Sequence, residues 1–358
     1  MQKACLSITS SFASALRGVP LSALFGLSAV ALSSAQDRSP VIHPGDATYY
    51  VDRVSGDDGN DGRTEASAFA TIQAAASAVA PGETVAIKRG VYRETVTAPT
   101  SGEPGASIVF RSHGLGEVVL SGGERITGWT RHDGDIWAAT VDWDANGLRE
   151  NNTLFVNGEL SYEARHFAET DLLDIDGWGQ LERDVLRPRF LRAPSLVGYG
   201  DDYWNGAKVT FHVNDWTITT RDIVDYHSDA GRIRFDPRVE GILLKQTCGF
   251  YFHDTILALD RPGEWFKDPS ADVLYYHAEP GQDPNELRIE FKRRGYGFDL
   301  RGRSHVTVQG MTFRGVTLQM DGGTDDCMIE GNVFYGYGKG NGNGFDRMSL
   351  VGDRNVFR

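Results

Sequence analysis

Two aspartates, Asp325 and Asp346, stand 21 residues apart, each beside a glycine-rich turn (Gly322-Gly323-Thr324 and Asn341-Gly342-Asn343-Gly344), with Asp326 adjoining the first. Carboxyls in pairs can divide acid and base work across a scissile bond. For glycosidic cleavage the separation decides the outcome, roughly 5–5.5 Å for retention and 6.5–9.5 Å for inversion. Such a pair forms here only if the chain returns to the same place once every 21 residues. Aspartate is also common in turns for its own local hydrogen bonds, so the spacing nominates Asp325, Asp326 and Asp346 without assigning them.

Two other groups could do chemistry. Lys292, Arg293 and Arg294, with Arg301 and Arg303, are the densest basic cluster beyond the first 35 residues. Arg293, Arg294 and Arg303 could hold an acidic polymer, whose elimination needs a base and a cation to neutralise a carboxylate; a solvated charged face is the other reading. The loop Ser55-Gly56-Asp57-Asp58-Gly59-Asn60-Asp61-Gly62 gathers oxygen ligands of the kind calcium takes, through Asp57, Asp58 and Asp61. Its spacing is not that of an EF-hand, and an ordinary Asp/Asn/Gly turn is the preferred reading. Calcium is thus the one cofactor the residues allow and none is required. No triad motif, phosphate loop or zinc-ligand spacing stands out.

The return of the chain is legible. His305-Val306-Thr307-Val308-Gln309-Gly310-Met311-Thr312-Phe313-Arg314-Gly315 slides by 21 residues onto Asp326 to Gly336, with Gly310 over Gly331, Phe313 over Phe334 and Gly315 over Gly336. A fixed period of this length marks a repeat array. Short runs of β-formers between glycines, with no helix pair and no leucine-rich pattern, predict one coil of a parallel β-helix, each strand pairing one coil away at roughly 4.8 Å. A further coil begins at Ser349-Leu350-Val351-Gly352 and reaches Asn355-Val356-Phe357. A bare β-helix end exposes strand edges that soluble proteins normally cover, so the expectation is that further coils are missing beyond Arg358, and that the full-length protein is a monomer.

Upstream, Tyr49-Tyr50-Val51-Asp52 reads as a strand. Ile72, Ala75, Ala76 and Val79 recur at i, i+3, i+4, i+7, which predicts a capping helix over Phe69–Val79 stopped by Pro81-Gly82. Strands then repeat at period 23, with Val85 over Ile108, Ile87 over Phe110 and Val96 over Val119. From about Ile126 to Gly295 the period is lost, and all seven tryptophans lie in that window. Alternating runs such as Leu154-Phe155-Val156-Asn157-Gly158 and Arg232-Ile233-Arg234-Phe235 predict antiparallel strands with tight turns. The domain plan is 1–35 signal peptide, 36–125 cap and first coils, 126–294 a β-rich insert, and 295–358 further coils.

Lys3 and Arg17 precede an apolar run, Leu21 to Leu32, too short for a membrane span, and Ser33-Ser34-Ala35 offers a cleavage site before Gln36. That predicts export to the periplasm or medium. The remaining chain has 34 basic residues against 49 acidic, a net −15, which argues against nucleic acid or an anionic membrane as partner. Cys248 and Cys327 remain after cleavage; an oxidising compartment allows a bridge, but Cys327 beside Met328 and Ile329 reads as a buried thiol.

Several stretches together resemble bacterial β-helix polysaccharide-degrading proteins of the pectin-lyase-like fold. Tyr49 to Gly62, Phe69-Ala70-Thr71-Ile72-Gln73, Pro81-Gly82-Glu83-Thr84-Val85 and Gly90-Val91-Tyr92-Arg93-Glu94 are similar to the opening shared by β-helix glycoside hydrolases and by pectate and alginate lyases. Asn152 to Glu159 with Ala164-Arg165, and Leu259 to Asp268 with Leu274-Tyr275-Tyr276, resemble the inserted domain of β-helix glycosidases of the α-fucosidase and xylanase kind. The resemblance implies an all-β, right-handed parallel β-helix acting on a plant or algal polysaccharide, with hydrolysis ahead of lyase chemistry and of non-catalytic sugar binding. It transfers no catalytic position to this chain.

Overall fold

The computed structural model describes residues 47–145, 152–167, 178–180, 189–214, 217–239, 249–268, 270–336 and 351–358. The signal segment, Cys248 and Asp346 lie outside these residues. The described residues belong to one compact unit, Val41–Arg358.

Parallel strands carry the repeat. Tyr49–Val51 pairs with Thr84–Tyr92, which pairs with the long strand Ile108–Ser121. That strand is joined by Val306–Gln309 and Thr312–Arg314, and these by Met328–Glu330 and Val333–Tyr335. Val356–Phe357 adds to Met328–Glu330. A second parallel ribbon runs Val96–Thr97, Tyr296–Asp299, Thr317–Gln319. Phe313 faces Phe334 and Val308 faces Ile329, the 21-residue offset of the sequence repeat.

The 23-residue register upstream needs correction. Val85 pairs with Phe110, not Ile108; Ile87 pairs with Ser112, not Phe110; and Val96 meets Phe298 rather than Val119. The first two are slips of two residues. Such a slip keeps every side chain on its own face, so the apolar pattern alone could not tell the registers apart.

Val51, Val85, Ile87, Ile108, Phe110, Val308, Phe313 and Ile329 stack inside one core. Helix Ile72–Ala78 closes it with Ile72, Ala75 and Ala76 buried. Its first amides and the two residues that lead into it are held from two sides, and the Thr71 hydroxyl is the N-cap, accepting from Ala74 N. Glu94 accepts from Ile72 and Gln73 (3.0 and 2.8 Å), and Asp58 accepts from the amides of Ala70 and Thr71 and from the Thr71 hydroxyl (2.8–2.9 Å). Glycines at the corners repeat with the strands: Gly315 and Gly336 both take left-handed φ, +71° and +61°, and both face the Phe155 ring. A side chain at either position would meet that ring.

The parallel ladder is interrupted after Gly122. Residues 123–292 supply all the strands of two further sheets, of seven and eight strands among the described residues. The seven-stranded sheet is antiparallel. The eight-stranded sheet contains one parallel pair, Glu159–Glu163 with Glu264–Lys267. Each has its own core, around Trp204, Phe211, Phe235, Phe250 and Phe252 in one and Trp129, Trp265 and Phe291 in the other. Trp129, Trp178, Trp204 and Trp265 are buried; Trp216 is not among the described residues. Entry and exit meet at one point, where Gly122 O accepts from Arg293 N and Arg294 N (2.8 and 3.2 Å). Cys327 is a buried free thiol. Among the described residues no helix is long and apolar enough to cross a membrane.

Candidate functional site

A cleft of ≈ 310 Å³ opens where the two sheets of the 123–292 segment adjoin, lined by Glu159, Ser161, Tyr162, Arg165, Pro262 and Glu264 among others. Local chemistry shapes it. Asn157 and Gly158 both take positive φ, 53° and 96°, and form the two-residue hairpin between Leu154–Val156 and Glu159–Glu163. The second strand runs parallel to Glu264–Lys267, then crosses at Ala164 into the other sheet, where Arg165 and His166 pair with His253 and Phe252. Pro262-Gly263 turns the opposing chain into the cleft. Ser161 Oγ donates to Gly263 O (2.6 Å) and the Trp265 indole N–H donates to Ser161 O (3.1 Å), locking the two walls together.

Glu264 is the chemically distinctive side chain. It is 6% exposed, and its Oε1 accepts a long bond from Arg165 N (3.4 Å). Its Oε2 is buried with no hydrogen-bond partner among the described residues. Burial, reinforced by the negative charge of Asp260, pushes the carboxyl up to about 7, against the pull of the Arg165 amide and of Arg261 and Arg165. It can therefore hold and release a proton near neutrality. Arg165 is also buried, its guanidinium between the Tyr162 and Tyr251 rings (5.6 and 5.5 Å), with Nη1 unpartnered among the described residues. Behind them Asp260 Oδ2 meets His166 Nδ1 at 2.5 Å, and His166 Nε2 meets the Tyr199 hydroxyl at 2.9 Å. The Leu259–Asp268 stretch is conspicuous in the sequence only as a resemblance; nothing there marks Glu264, because its proton affinity comes from burial and from Asp260.

The residues nominated from the sequence go elsewhere. Asp325 and Asp326 lie in a turn of the parallel ladder. Asp325 accepts from Asp353 N (2.7 Å), and Asp326 is gripped by Arg354 through Nε and Nη2 (2.6 and 2.7 Å), which lowers its proton affinity. Asp346 is outside the described residues. The three arginines have separate tasks. Arg293 lies over Trp143 at 5.0 Å, Arg294 bonds Glu124, and Arg303 donates to Ala98 O at 2.6 Å. In the polar loop Asp57 accepts from Gly59 N, Asp58 accepts from Ala70 N and from the amide and hydroxyl of the helix N-cap Thr71, and Asp61 accepts from Arg63 N and Ser67 Oγ. Among the described residues no three His, Cys, Asp or Glu side chains gather as a metal site.

No family model matches the sequence. Over 96 residues the chain is 34% identical to the uncharacterized protein YwoF of Bacillus subtilis (strain 168), covering 27% of this chain and 20% of that protein. A solved structure described as a glycoside hydrolase matches with a TM-score of 0.58 and 23% identity over 75% of this chain and 50% of its own. XylC in complex with xylose matches with a TM-score of 0.42 and 19% identity, over 81% and 40%. The chain thus spans a fifth of the curated relative and half of the glycoside hydrolase, with which it shares its fold.

Proposed function

We propose that this chain is part of an exported glycoside hydrolase in which the parallel ladder is a right-handed β-helix and residues 126–294 are an inserted β domain. The observation that carries the reading is the fold shared with a glycoside hydrolase over three-quarters of the chain. The near-neutral carboxyl in the cleft supports it. Glycosidic cleavage wants one carboxyl still protonated at working pH to donate to the leaving oxygen, and a second that is ionised. Glu264 is suited to the first role, and Glu159 lines the same cleft. Asp325 with Asp346 is the other carboxylate pair. The substrate class is a plant or algal polysaccharide, and the full-length protein is a monomer.

The test is an assay of the purified protein on neutral and uronate polysaccharides, reading both reducing ends and ultraviolet-absorbing unsaturated products, for wild type, Glu264→Gln and Asp325→Asn. Reducing ends from a neutral glycan, lost in Glu264→Gln and kept in Asp325→Asn, are the expected result. Loss only in Asp325→Asn moves the chemistry to the ladder turns. Unsaturated products alone replace hydrolysis with elimination.

A further inference from the structure

On the far side of the His166–Asp260 pair the seven-stranded sheet carries an aromatic shelf. Tyr199 and Tyr203 lie 5.3 Å apart with their rings tilted by 31°, and both meet Trp204 in T-shaped contacts at 5.3 and 5.0 Å. Trp204 is 1% exposed and anchors the pair, whereas Tyr203 is 40% exposed. The Tyr199 hydroxyl is tied to His166 Nε2 at 2.9 Å, so its ring cannot swing away. A core tyrosine would be covered. Tyr203 stays partly exposed beside a buried Trp204 and a tethered Tyr199, which is how a binding surface is kept preorganised.

The rim sets the chemistry of the occupant. Asp201 accepts from Ser228 N (2.8 Å) and Asp202 from Asn205 Nδ2 (2.7 Å). Each leaves its other oxygen without a partner among the described residues, and both are exposed. An exposed aromatic surface edged by carboxyl acceptors fits a ring with one C–H face and a rim of hydroxyl donors. Two acidic side chains at the rim disfavour a sugar bearing carboxylate or sulfate.

We propose that Tyr199 and Tyr203 form a subsite for a pyranose ring of a neutral oligosaccharide. His166 joins the Tyr199 hydroxyl to Asp260, whose charge acts on Glu264, so the shelf is connected to the cleft through that pair. The proposal rests on the carbohydrate reading above, and adds the location and charge class of the ligand.

Calorimetric titration of the 358-residue chain with xylohexaose, cellohexaose and a galacturonate hexamer tests it, with Tyr203→Ala, Tyr203→Phe and Asp202→Asn beside wild type. Wild type should bind a neutral hexasaccharide at least about tenfold tighter than the galacturonate, the tenfold that 1.4 kcal/mol corresponds to. Tyr203→Ala should weaken it by about tenfold or more, Tyr203→Phe should leave it nearly unchanged, and Asp202→Asn should narrow the gap between neutral and acidic ligands. Wild-type binding that Tyr203→Ala does not alter, or a preference for galacturonate, overturns the subsite while leaving the carbohydrate reading intact. No binding of any of the three overturns both.

Discussion

Arg93, on the first full turn of the ladder, donates through Nε to Glu290 Oε1 at 3.1 Å, although 197 residues separate them. Glu290 is fully buried on the last strand of the interrupting segment, and it also receives Arg314 Nη2 at 2.8 Å and faces Arg288 at 3.6 Å. Burial lowers the proton affinity of Arg314, and the carboxylate opposes that effect. Removing Glu290 leaves a guanidinium that is 9% exposed without its hydrogen-bonded carboxylate, with only the more weakly acting charge of Glu117 to oppose burial. Glu290→Ala should therefore cost about 3–5 kcal/mol in denaturant unfolding. A loss under about 1 kcal/mol would mean that water reaches the arginines as readily as the carboxylate does.

Glu264 predicts a pH dependence with a definite sign. Its affinity for protons is raised in the folded state, from 4.5 to about 7. Its contribution to stability is then fully present below about 4.5 and is lost as pH rises through about 7, a swing of up to about 3 kcal/mol. Glu264→Gln removes the charge and keeps the shape. The melting temperature of the variant should match wild type near pH 4.5 and exceed it at pH 8. A constant difference across that range would show that the carboxylate ionises freely in the fold.

The glycine corners separate two kinds of cost. At Gly331 a methyl group meets nothing within 4 Å and only the +61° φ opposes it, so Gly331→Ala should lose about 1 kcal/mol. At Gly315 the same methyl would also sit 3.0 Å from Phe155 Cε2. Gly315→Ala should cost about 1–2 kcal/mol more, because overpacking adds to strain. Equal losses in equilibrium unfolding would mean that the Phe155 ring yields.

Asp58 orients Ala70 and the N-cap Thr71 through three hydrogen bonds, so Asp58→Ala should destabilise by about 1–3 kcal/mol, the cost of leaving their donors unpaired. Millimolar calcium should leave the wild-type melting temperature unchanged, since Asp57, Asp58 and Asp61 each accept from separate protein donors. A calcium-dependent rise that Asp58→Ala abolishes would establish a site in this loop.

Exported protein should begin at Gln36, after Ser33-Ser34-Ala35. N-terminal sequencing of secreted material checks this; an intact Met1 terminus on exported protein would exclude cleavage.

Much of the ladder was legible because its signals are local and repeated. Phe313 over Phe334 recurs at a fixed offset, and the helix with Ile72, Ala75 and Ala76 inward has its own period. The register of Val85 was not legible, since a two-residue slip conserves the inside and outside pattern. The cleft was less legible still. Glu264 comes from a strand a hundred residues away from those of Ser161 and Arg165, and what distinguishes Glu264 is an unpartnered buried oxygen, which no spacing of residue types encodes. Asp326 shows the converse: it fits a catalytic spacing, and the fold gives it Arg354.

The meeting of Gly122 with Arg293 and Arg294 has a kinetic meaning. Phe110 must find Val308 almost two hundred residues later in the chain. Closing so long a loop from a random coil is slow, because the entropy is lost before the contacts form. If the antiparallel sheets form first, their own hydrogen bonds bring Gly123 beside Lys292. The ladder then sees a short bridge in place of a long loop. Folding in that order makes the excursion a chaperone for the parallel strands on either side of it, and the rate-limiting event moves from the ladder to the sheets that interrupt it.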